Sequence, residues 1–379
     1  MDELELLTAL VEMYEDKHYP ISPPDPIEAI KFRMDQLGLS QKEMVPYMGS
    51  KSKVSEVLNG KCPLTLAMMR SLNKNLGISA EVLLQEPGAG FPEALQDLEW
   101  HKFPVVEMAN RGWLPKGNDI KERAEELMHG FIAHAGGIDA VPAAFFRRGK
   151  GLRYNSKMDS YALTAWCIRA LLLARKKLLK NKYAKGSINL RTLQDIARLN
   201  YFENGPLLAR EYLEKQGIYL IVVPHLPKTY LDGAAFLMPD GTPVVGLTLR
   251  YDRIDNFWFC LLHELAHVSK HLSGSRQIIV DDMDLRGHDA GAEDKIEKEA
   301  DDMAIRGLIP QKVWDQKPLG SKATVIKVYP LAEKLKIHPA IITGRIRYEQ
   351  NNYKLLSRHV GRGMVRGHFA EDCLKSVVT

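Results

Sequence analysis

Cysteine and long apolar runs are both scarce in this chain, and their scarcity excludes several classes of protein. The 379 residues include only four cysteines, and no two of them stand at the spacing of a disulfide framework or a zinc knuckle. No apolar run approaches the length needed to span a bilayer. The acidic beginning, Met1-Asp2-Glu3, does not have the form of a signal peptide. We therefore expect a cytoplasmic protein with reduced thiols and no membrane contact.

Internal repeats and low-complexity segments are also missing from the sequence. The hydrophobic fraction of 45% and the charged fraction of 26% are typical of a folded globular protein, and the length is sufficient for two or three domains. The net charge of +5 permits contact with nucleic acid without requiring it. Evidence for function must therefore come from motifs.

One motif carries the strongest chemical signal, His263-Glu264-Leu265-Ala266-His267, of the form His-Glu-x-x-His. On a helix, residues i and i+4 lie on one face, so both imidazoles can reach one metal ion. Glu264 then stands where it can take a proton from a water on that ion. The alternative is an ordinary amphipathic helix whose histidines bind no metal. A third ligand decides between the two interpretations.

A catalytic zinc ion needs three protein ligands, and the third must be sought downstream. His271 continues the same helical series, but three ligands in a row on one straight helix cannot surround an ion, so a solvated histidine is the better interpretation. Glu293, Glu297 and Glu299 belong to a second helical pattern. Glu299 flanks the apolar face of that pattern and can turn inward, whereas Glu293 is better interpreted as part of a solvated surface.

The two patterns together resemble the ImmA/IrrE family of metallopeptidases. The resemblance rests on the segment 253–267, on the segment 297–304 and on Leu308-Ile309-Pro310. One departure is Met303, which stands where the family usually carries an aromatic residue. That difference affects packing and leaves the implied ligands intact.

The resemblance implies a zinc ion held by His263, His267 and Glu299, since the family's third ligand is the glutamate directly before an alanine. It also implies that Glu264 is the catalytic base. The implied activity is that of a zinc-dependent endopeptidase with a repressor or another partner protein as its substrate.

The N-terminal part predicts a bundle of short helices separated by glycines and capping residues. A first amphipathic helix is expected within residues 1–20, followed by five helices at 27–37, 40–49, 51–58, 64–76 and 79–84. Two short helices joined at Gly49 have the layout of a helix-turn-helix. The second leaves Lys51, Ser52, Lys53 and Ser55 opposite its apolar face, where they suit contacts with DNA phosphates and base edges. The alternative is a helical bundle with a solvated polar face.

This bundle resembles the Cro/repressor-type (XRE) helix-turn-helix domain, most closely that of HigA-like antitoxins. The resemblance rests on residues 19–34 and 54–61. It implies that Gln41 and Lys61 contact the DNA backbone, in addition to the residues from Ser50 to Lys53. It also implies binding of the protein's own operator by a homodimer. Pro46 is unusual within a helix, but the HigA-like subgroup tolerates a proline there.

The expected fold class is mainly α with a smaller α+β part. Three short strands are predicted, at 218–223, 233–238 and 243–249. The predicted domains are a five-helix, lambda-repressor-like helix-turn-helix domain at 1–86, a helical connecting region at 93–185, a zincin-like metallopeptidase domain at 186–350 and a C-terminal tail at 351–379 to which no role is assigned.

Two functions from different classes agree with these observations. The first is a DNA-binding transcriptional regulator, of antitoxin or phage and stress-response type, that carries an active zinc endopeptidase. The second is a HigA-like antitoxin that represses its own operon and binds a toxin, in which the peptidase-like domain is only a metal-stabilised binding scaffold.

Overall fold

The computed structural model describes residues 24–62, 64–84, 98–137, 141, 142, 145, 158–273, 276–281, 292–316 and 323–370. The chain divides into two compact units, Met1–Leu98 and Glu99–Thr379. As predicted, it is mainly helical with one small mixed sheet. Among the described helices, none is long and apolar enough to cross a membrane. The amphipathic helix expected within residues 1–20 lies outside the described residues.

The first unit contains five described helices, and all five were expected from the sequence. They are α1 (Pro26–Leu37), α2 (Val45–Met48), α3 (Lys51–Leu58), α4 (Leu66–Leu76) and α5 (Ala80–Leu83). Asp25 caps α1 by accepting hydrogen bonds from the first-turn amides, and Gly38 ends it with a left-handed φ of 65°. The core of the bundle includes Ile30, Met48 and Leu72, each of which is buried.

The second helix of this bundle differs from its predicted extent. The sequence predicts a helix from about Ser40 to Gly49, but only Val45–Met48 is α-helical, and the preceding residues form a turn. Pro46 consequently lies in the first turn of α2, where a missing amide proton costs no helical hydrogen bond. The proline that is unusual within a long helix is therefore well placed at the beginning of a short one.

The second unit combines ten helices with a four-stranded sheet in its described part. The helices are α6 (Val105–Asn110), α7 (Ala124–His134), α8 (Ser160–Arg175), α9 (Leu190–Ala197), α10 (Gly205–Lys215), α11 (Ile254–Lys270), α12 (Ala292–Leu308), α13 (Gln311–Asp315), α14 (Val325–Leu335) and α15 (Pro339–Glu349). The strands are β1 (Tyr219–Val222), β2 (Gly233–Leu237), β3 (Pro243–Leu247) and β4 (Ile278–Asp281).

The sheet has the order β1-β3-β2-β4. Strands β1 and β3 are parallel, whereas β2 is antiparallel to both β3 and β4. The first three strands were predicted, and β4 was not. Its Ile278-Ile279-Val280 run is short and follows the metal motif, so no turn signal separated it from the preceding helix.

The helical segment before residue 186 packs on this sheet and shares a compact unit with it. Trp166 of α8 is fully buried, and its indole Nε1 donates a hydrogen bond to the carbonyl of Val223. A Cβ at Gly246 of β3 would lie 2.6 Å from the Trp166 ring, so the strand needs glycine there. The region predicted as a connecting segment thus supplies one layer of the core beneath the sheet.

Helix α11 is held at its N-terminal end by residues from the far end of the chain. The amide of Ile254 donates to the carbonyl of Gly361 at 3.1 Å, and Asp252 Oδ1 accepts from the amides of Val365 and Arg366. Val365 and Phe369 are buried in the same core as α11. The described part of the C-terminal segment, residues 351–370, is therefore a structural part of the second unit.

Candidate metal centre

Helix α11 brings His263 and His267 together, because residues four apart on a helix lie one turn apart on one face. Both imidazoles are fully buried. Their Nε2 atoms face each other at 2.9 Å, and the ring centroids are 4.6 Å apart. The helix is buried along most of its length and lies against β2, β3 and α12, which fixes the direction of both side chains.

The third group at this point is Glu297 of α12. Its Oε2 lies 3.1 Å from Nε2 of His263, and its Oε1 lies 3.6 Å from Nε2 of His267. The Glu297 side chain is only 10% exposed. Two imidazole nitrogens and a carboxylate therefore converge on one buried point between α11 and α12.

Glu299, the ligand that the sequence resemblance implies, lies elsewhere. Its side chain is 44% exposed and pairs with Lys270, and its Oε2 is 3.3 Å from His271 Nε2. Two residues along a helix correspond to a rotation of about 200°, so Glu297 and Glu299 cannot both face α11. The structure places Glu297 beside the histidines, and we replace Glu299 by Glu297 in the ligand set.

The electrostatic state of Glu297 depends on the histidines. Burial by itself raises the pKa of the Glu297 carboxyl. Hydrogen bonds and charge interactions with His263 and His267 outweigh that effect and hold its pKa well below the ordinary value. The carboxylate is therefore ionised at neutral pH and is available as a ligand.

A second carboxylate, Asp301, fixes the orientation of the first histidine. Asp301 follows Glu297 by one helical turn, and its Oδ1 lies 2.9 Å from Nδ1 of His263. A carboxylate can only accept, so the proton between the two atoms belongs to Nδ1. The other nitrogen of His263, Nε2, then presents a lone pair toward Glu297 and His267, as a metal ligand must.

His271 stands in the corresponding position behind the second histidine. Its Nδ1 lies 2.9 Å from Nδ1 of His267, and its side chain is only 7% exposed. The solvated histidine predicted from the sequence is therefore buried and in contact with a candidate ligand. Burial lowers the pKa of His271, against the opposing effect of Glu299.

Glu264, the predicted catalytic base, is fully buried. Its carboxylate lies directly against β2. A Cβ at Gly233 would be 2.6 Å from Glu264 Oε1 and 3.0 Å from its Cγ, so only glycine leaves room for this side chain. The strand and the helix thus fit closely at the residue that the sequence assigns to proton transfer.

The chemistry of these donors fits a metal ion. Ligand atoms about 2.0–2.2 Å from a tetrahedral zinc ion lie about 3.3 Å from one another. The distances of 2.9 Å, 3.1 Å and 3.6 Å among the three groups bracket that value. His263, His267 and Glu297 form the one group of three potential ligands found among the described residues. Three protein ligands leave one coordination position for water, which is the arrangement of catalytic sites.

The residues predicted to contact DNA are gathered on the first unit. Gln41, Lys51, Ser52, Lys53 and Lys61 are exposed, and Ser55 is half-buried. The exposed Ser50 caps α3, because its Oγ accepts a hydrogen bond from the amide of Lys53. Among the hydroxyls, that of Ser52 donates to Glu56 Oε1 at 2.8 Å. The lysines are therefore the groups most readily available to an incoming phosphate.

No protein-family model matches the chain, and neither the curated proteins nor the solved structures give a match. The argument about function therefore depends on the geometry of the two units.

The sequence contained a signal for Glu297 that the family resemblance obscured. Glu297, Asp301 and Ala304 recur at i, i+4 and i+7, which defines the stripe of α12 that faces α11. Selecting the carboxylates on this stripe yields both the ligand and its neighbour Asp301. No comparable signal indicated the contact of His271 with His267, because it requires knowing that α11 remains helical to Lys270.

Proposed function

We propose that this protein is a DNA-binding transcriptional regulator that carries a zinc-dependent endopeptidase. The observation that supports the peptidase most strongly is the buried convergence of His263, His267 and Glu297 beside the buried carboxylate of Glu264. Two histidines, one carboxylate and an adjacent glutamate are the parts that a single-zinc peptidase requires.

In the proposed mechanism each residue has a defined task. His263, His267 and Glu297 would hold the zinc ion, and Asp301 would keep His263 in its ligand tautomer. When bound, zinc supplies Lewis acidity that activates a water molecule and polarises a peptide carbonyl. Glu264 takes the proton of that water and delivers it to the leaving nitrogen. The close approach of Gly233 keeps the Glu264 carboxylate in one position for both transfers.

The substrate class follows from the reaction and from the sheet. An extended polypeptide can add to a sheet edge through main-chain hydrogen bonds, and β4 is an outer strand of the described sheet. A repressor or partner protein that presents an exposed segment would be a substrate of this kind. Self-cleavage of the chain is included in this proposal.

The decisive variant is Glu264→Gln in the full chain. A proteome-derived peptide mixture is incubated with the zinc-loaded protein, and new termini are counted by mass spectrometry. We expect Glu264→Gln to bind one zinc ion per chain and to lower the cleavage rate by about 10²–10⁴-fold, the contribution of a general base. Glu203→Gln, at an exposed position, is the matched control and should cleave normally. Equal cleavage by Glu264→Gln and by the natural sequence would contradict the mechanism.

A second function is favoured by the depth of the site. His263, Glu264 and His267 are each fully buried, so a bound zinc ion would also serve as a structural cross-link between α11 and α12. In that case the unit is a metal-stabilised scaffold that binds a toxin, and the protein is an antitoxin. One zinc ion per chain, no new termini from any peptide and capture of the toxin encoded beside its gene would favour this function.

For the first unit we propose binding to operator DNA through α3, as a homodimer on paired half-sites. Exposed Lys51 and Lys53 lie in the first turn of α3, and Lys61 lies just beyond its end. Electrophoretic mobility shifts with the DNA upstream of the gene test this directly. We expect binding at low salt that weakens steeply as salt rises, and absence of binding at low salt would contradict the proposal.

A further inference from the structure

The region behind His267 contains a chain of polar contacts that the proposed mechanism does not use. Nδ1 of His267 meets Nδ1 of His271 at 2.9 Å, and Nε2 of His271 lies 3.3 Å from Oε2 of Glu299. Glu299 in turn pairs with Lys270. The chain leads from the buried ligand to a carboxylate at the surface, which is 44% exposed.

The positions of the protons in this chain follow from its outer end. The Glu299 carboxylate only accepts, so the proton shared with His271 is carried by His271 Nε2. In a neutral imidazole the other nitrogen is then an acceptor, which makes His271 Nδ1 the acceptor toward His267. His267 must therefore carry its proton on Nδ1, and its Nε2 presents a lone pair. That lone pair points at the Nε2 of His263 and at Glu297.

We infer that His271, supported by Glu299, is a positioning residue that holds His267 in its metal-binding tautomer and orientation. This inference rests on the proposed metal site and deepens it. It assigns Glu299 a place outside the ligand shell, where it supports His271. The pair does for His267 what Asp301 does for His263, so both ligands of α11 receive their outer hydrogen-bond partner with Nδ1 as the donor.

The two outer partners differ in a way that the experiment can use. Asp301 contacts His263 directly, whereas Glu299 acts on His267 only through an intervening neutral imidazole. Loss of an outer partner typically lowers metal affinity by about 10–100-fold. A substitution that keeps an acceptor near His267 Nδ1 should therefore retain most of the affinity, and one that removes the acceptor should not.

The first test measures zinc affinity of the full chain by competition with a chelator. His271→Phe keeps a ring of similar size without an acceptor, and we expect about a 10–100-fold loss of affinity. His271→Gln supplies a carbonyl acceptor and should recover most of that loss. Lys298→Ala, at an exposed neighbouring position, should match the natural sequence. Thermal unfolding identifies variants that fail to fold. Equal affinity of His271→Phe and the natural sequence would overturn the inference.

A second comparison separates ligand from outer partner. Glu297→Ala should abolish stoichiometric zinc binding, whereas Glu299→Ala should still bind one zinc ion per chain with reduced affinity. Cobalt(II) substituted for zinc provides a spectroscopic check, because its visible absorption reports the ligand set. The Glu299→Ala spectrum should keep the intensity of the natural protein. Loss of stoichiometric binding in Glu299→Ala would overturn the inference.

A third measurement needs no metal and distinguishes the failure of this inference from the failure of the proposed function. In full-length protein with ¹⁵N-labelled histidine, two-bond ¹H–¹⁵N correlations report which ring nitrogen carries the proton. We expect His267 to be protonated at Nδ1, and to lose that preference in His271→Phe. If the natural protein binds no zinc but shows this tautomer, the peptidase proposal fails and the inference stands. A His267 protonated at Nε2 would overturn the inference whatever the zinc content.

Discussion

The two compact units expose their candidate functional groups to very different degrees. In the first unit, α3 buries Val54, Val57 and Leu58 and leaves Lys51 and Lys53 exposed. In the second unit, the two histidines of α11 and Glu264 are fully buried, and Glu297 is nearly so. The proposed DNA surface is thus decoration on a small bundle, whereas the proposed metal centre is part of a hydrophobic core.

This difference predicts how each site tolerates change. A buried site depends on every residue that packs around it, so a substitution far along the chain can disturb it through stability. An exposed lysine has few neighbours, and its replacement should alter binding alone. All five tryptophans, from Trp100 to Trp314, belong to the second unit, so tryptophan fluorescence follows the unfolding of that unit and not of the first.

The largest effect is expected from Phe369→Ala, at the end of the described chain. The Phe369 ring is buried, packs 5.9 Å from the Phe257 ring and lies 4.5 Å from the Arg210 guanidinium carbon. We expect the free energy of unfolding of the second unit to fall by about 3–5 kcal/mol. Denaturant titration followed by tryptophan fluorescence measures it. Leu178→Ala, at a position that is 90% exposed, is the control, and equal effects of the two variants would contradict the assignment of Phe369 to the core.

A smaller effect on stability, with a specific effect on the site, is expected from Gly233→Ala. The added methyl overlaps Glu264 Oε1 and should cost about 1–3 kcal/mol of overpacking strain. Because the strain falls on the base, cleavage should drop while zinc remains bound. Gly130→Ala, where nothing lies within 4 Å, should instead stabilise α7 by up to about 1 kcal/mol. Unchanged cleavage by Gly233→Ala would argue against Glu264 as the base.

The smallest effect on stability is expected from Lys51→Ala combined with Lys53→Ala. Affinity for the upstream DNA should fall, and the slope of log affinity against log salt should decrease by about 0.9 for each phosphate that the variant no longer neutralises. Lys74→Ala, another exposed lysine of the first unit, should leave both unchanged. A fall in affinity without any change in slope would show that the two lysines do not contact phosphates.

Much of the fold could be predicted from the sequence, because local signals determine it. The bounds of α1 follow from Asp25, Pro26 and Gly38, and three of the four strands follow from apolar runs between turns. The contribution of residues 351–370 could not be predicted, since the contact of Gly361 with Ile254 joins segments far apart in the chain.

The site was predictable to the same limit. His263, His267 and Glu264 follow from spacing along one helix. The choice between Glu297 and Glu299 depends on the rotation of α12 relative to α11, a tertiary property on which the motif is silent. The contacts of Asp301 and His271 with the two histidines depend on the same packing.

The closure of α11 by Gly361 has a consequence for biosynthesis. At about 5–20 residues per second, roughly 5–20 s separate the synthesis of Ile254 from that of its hydrogen-bond partner Gly361, whereas the first unit is complete long before. A chain interrupted in this interval would carry finished helices α1 to α5 but an unclosed metal helix. Quality control that favours complete chains would therefore also select those in which both units are able to work.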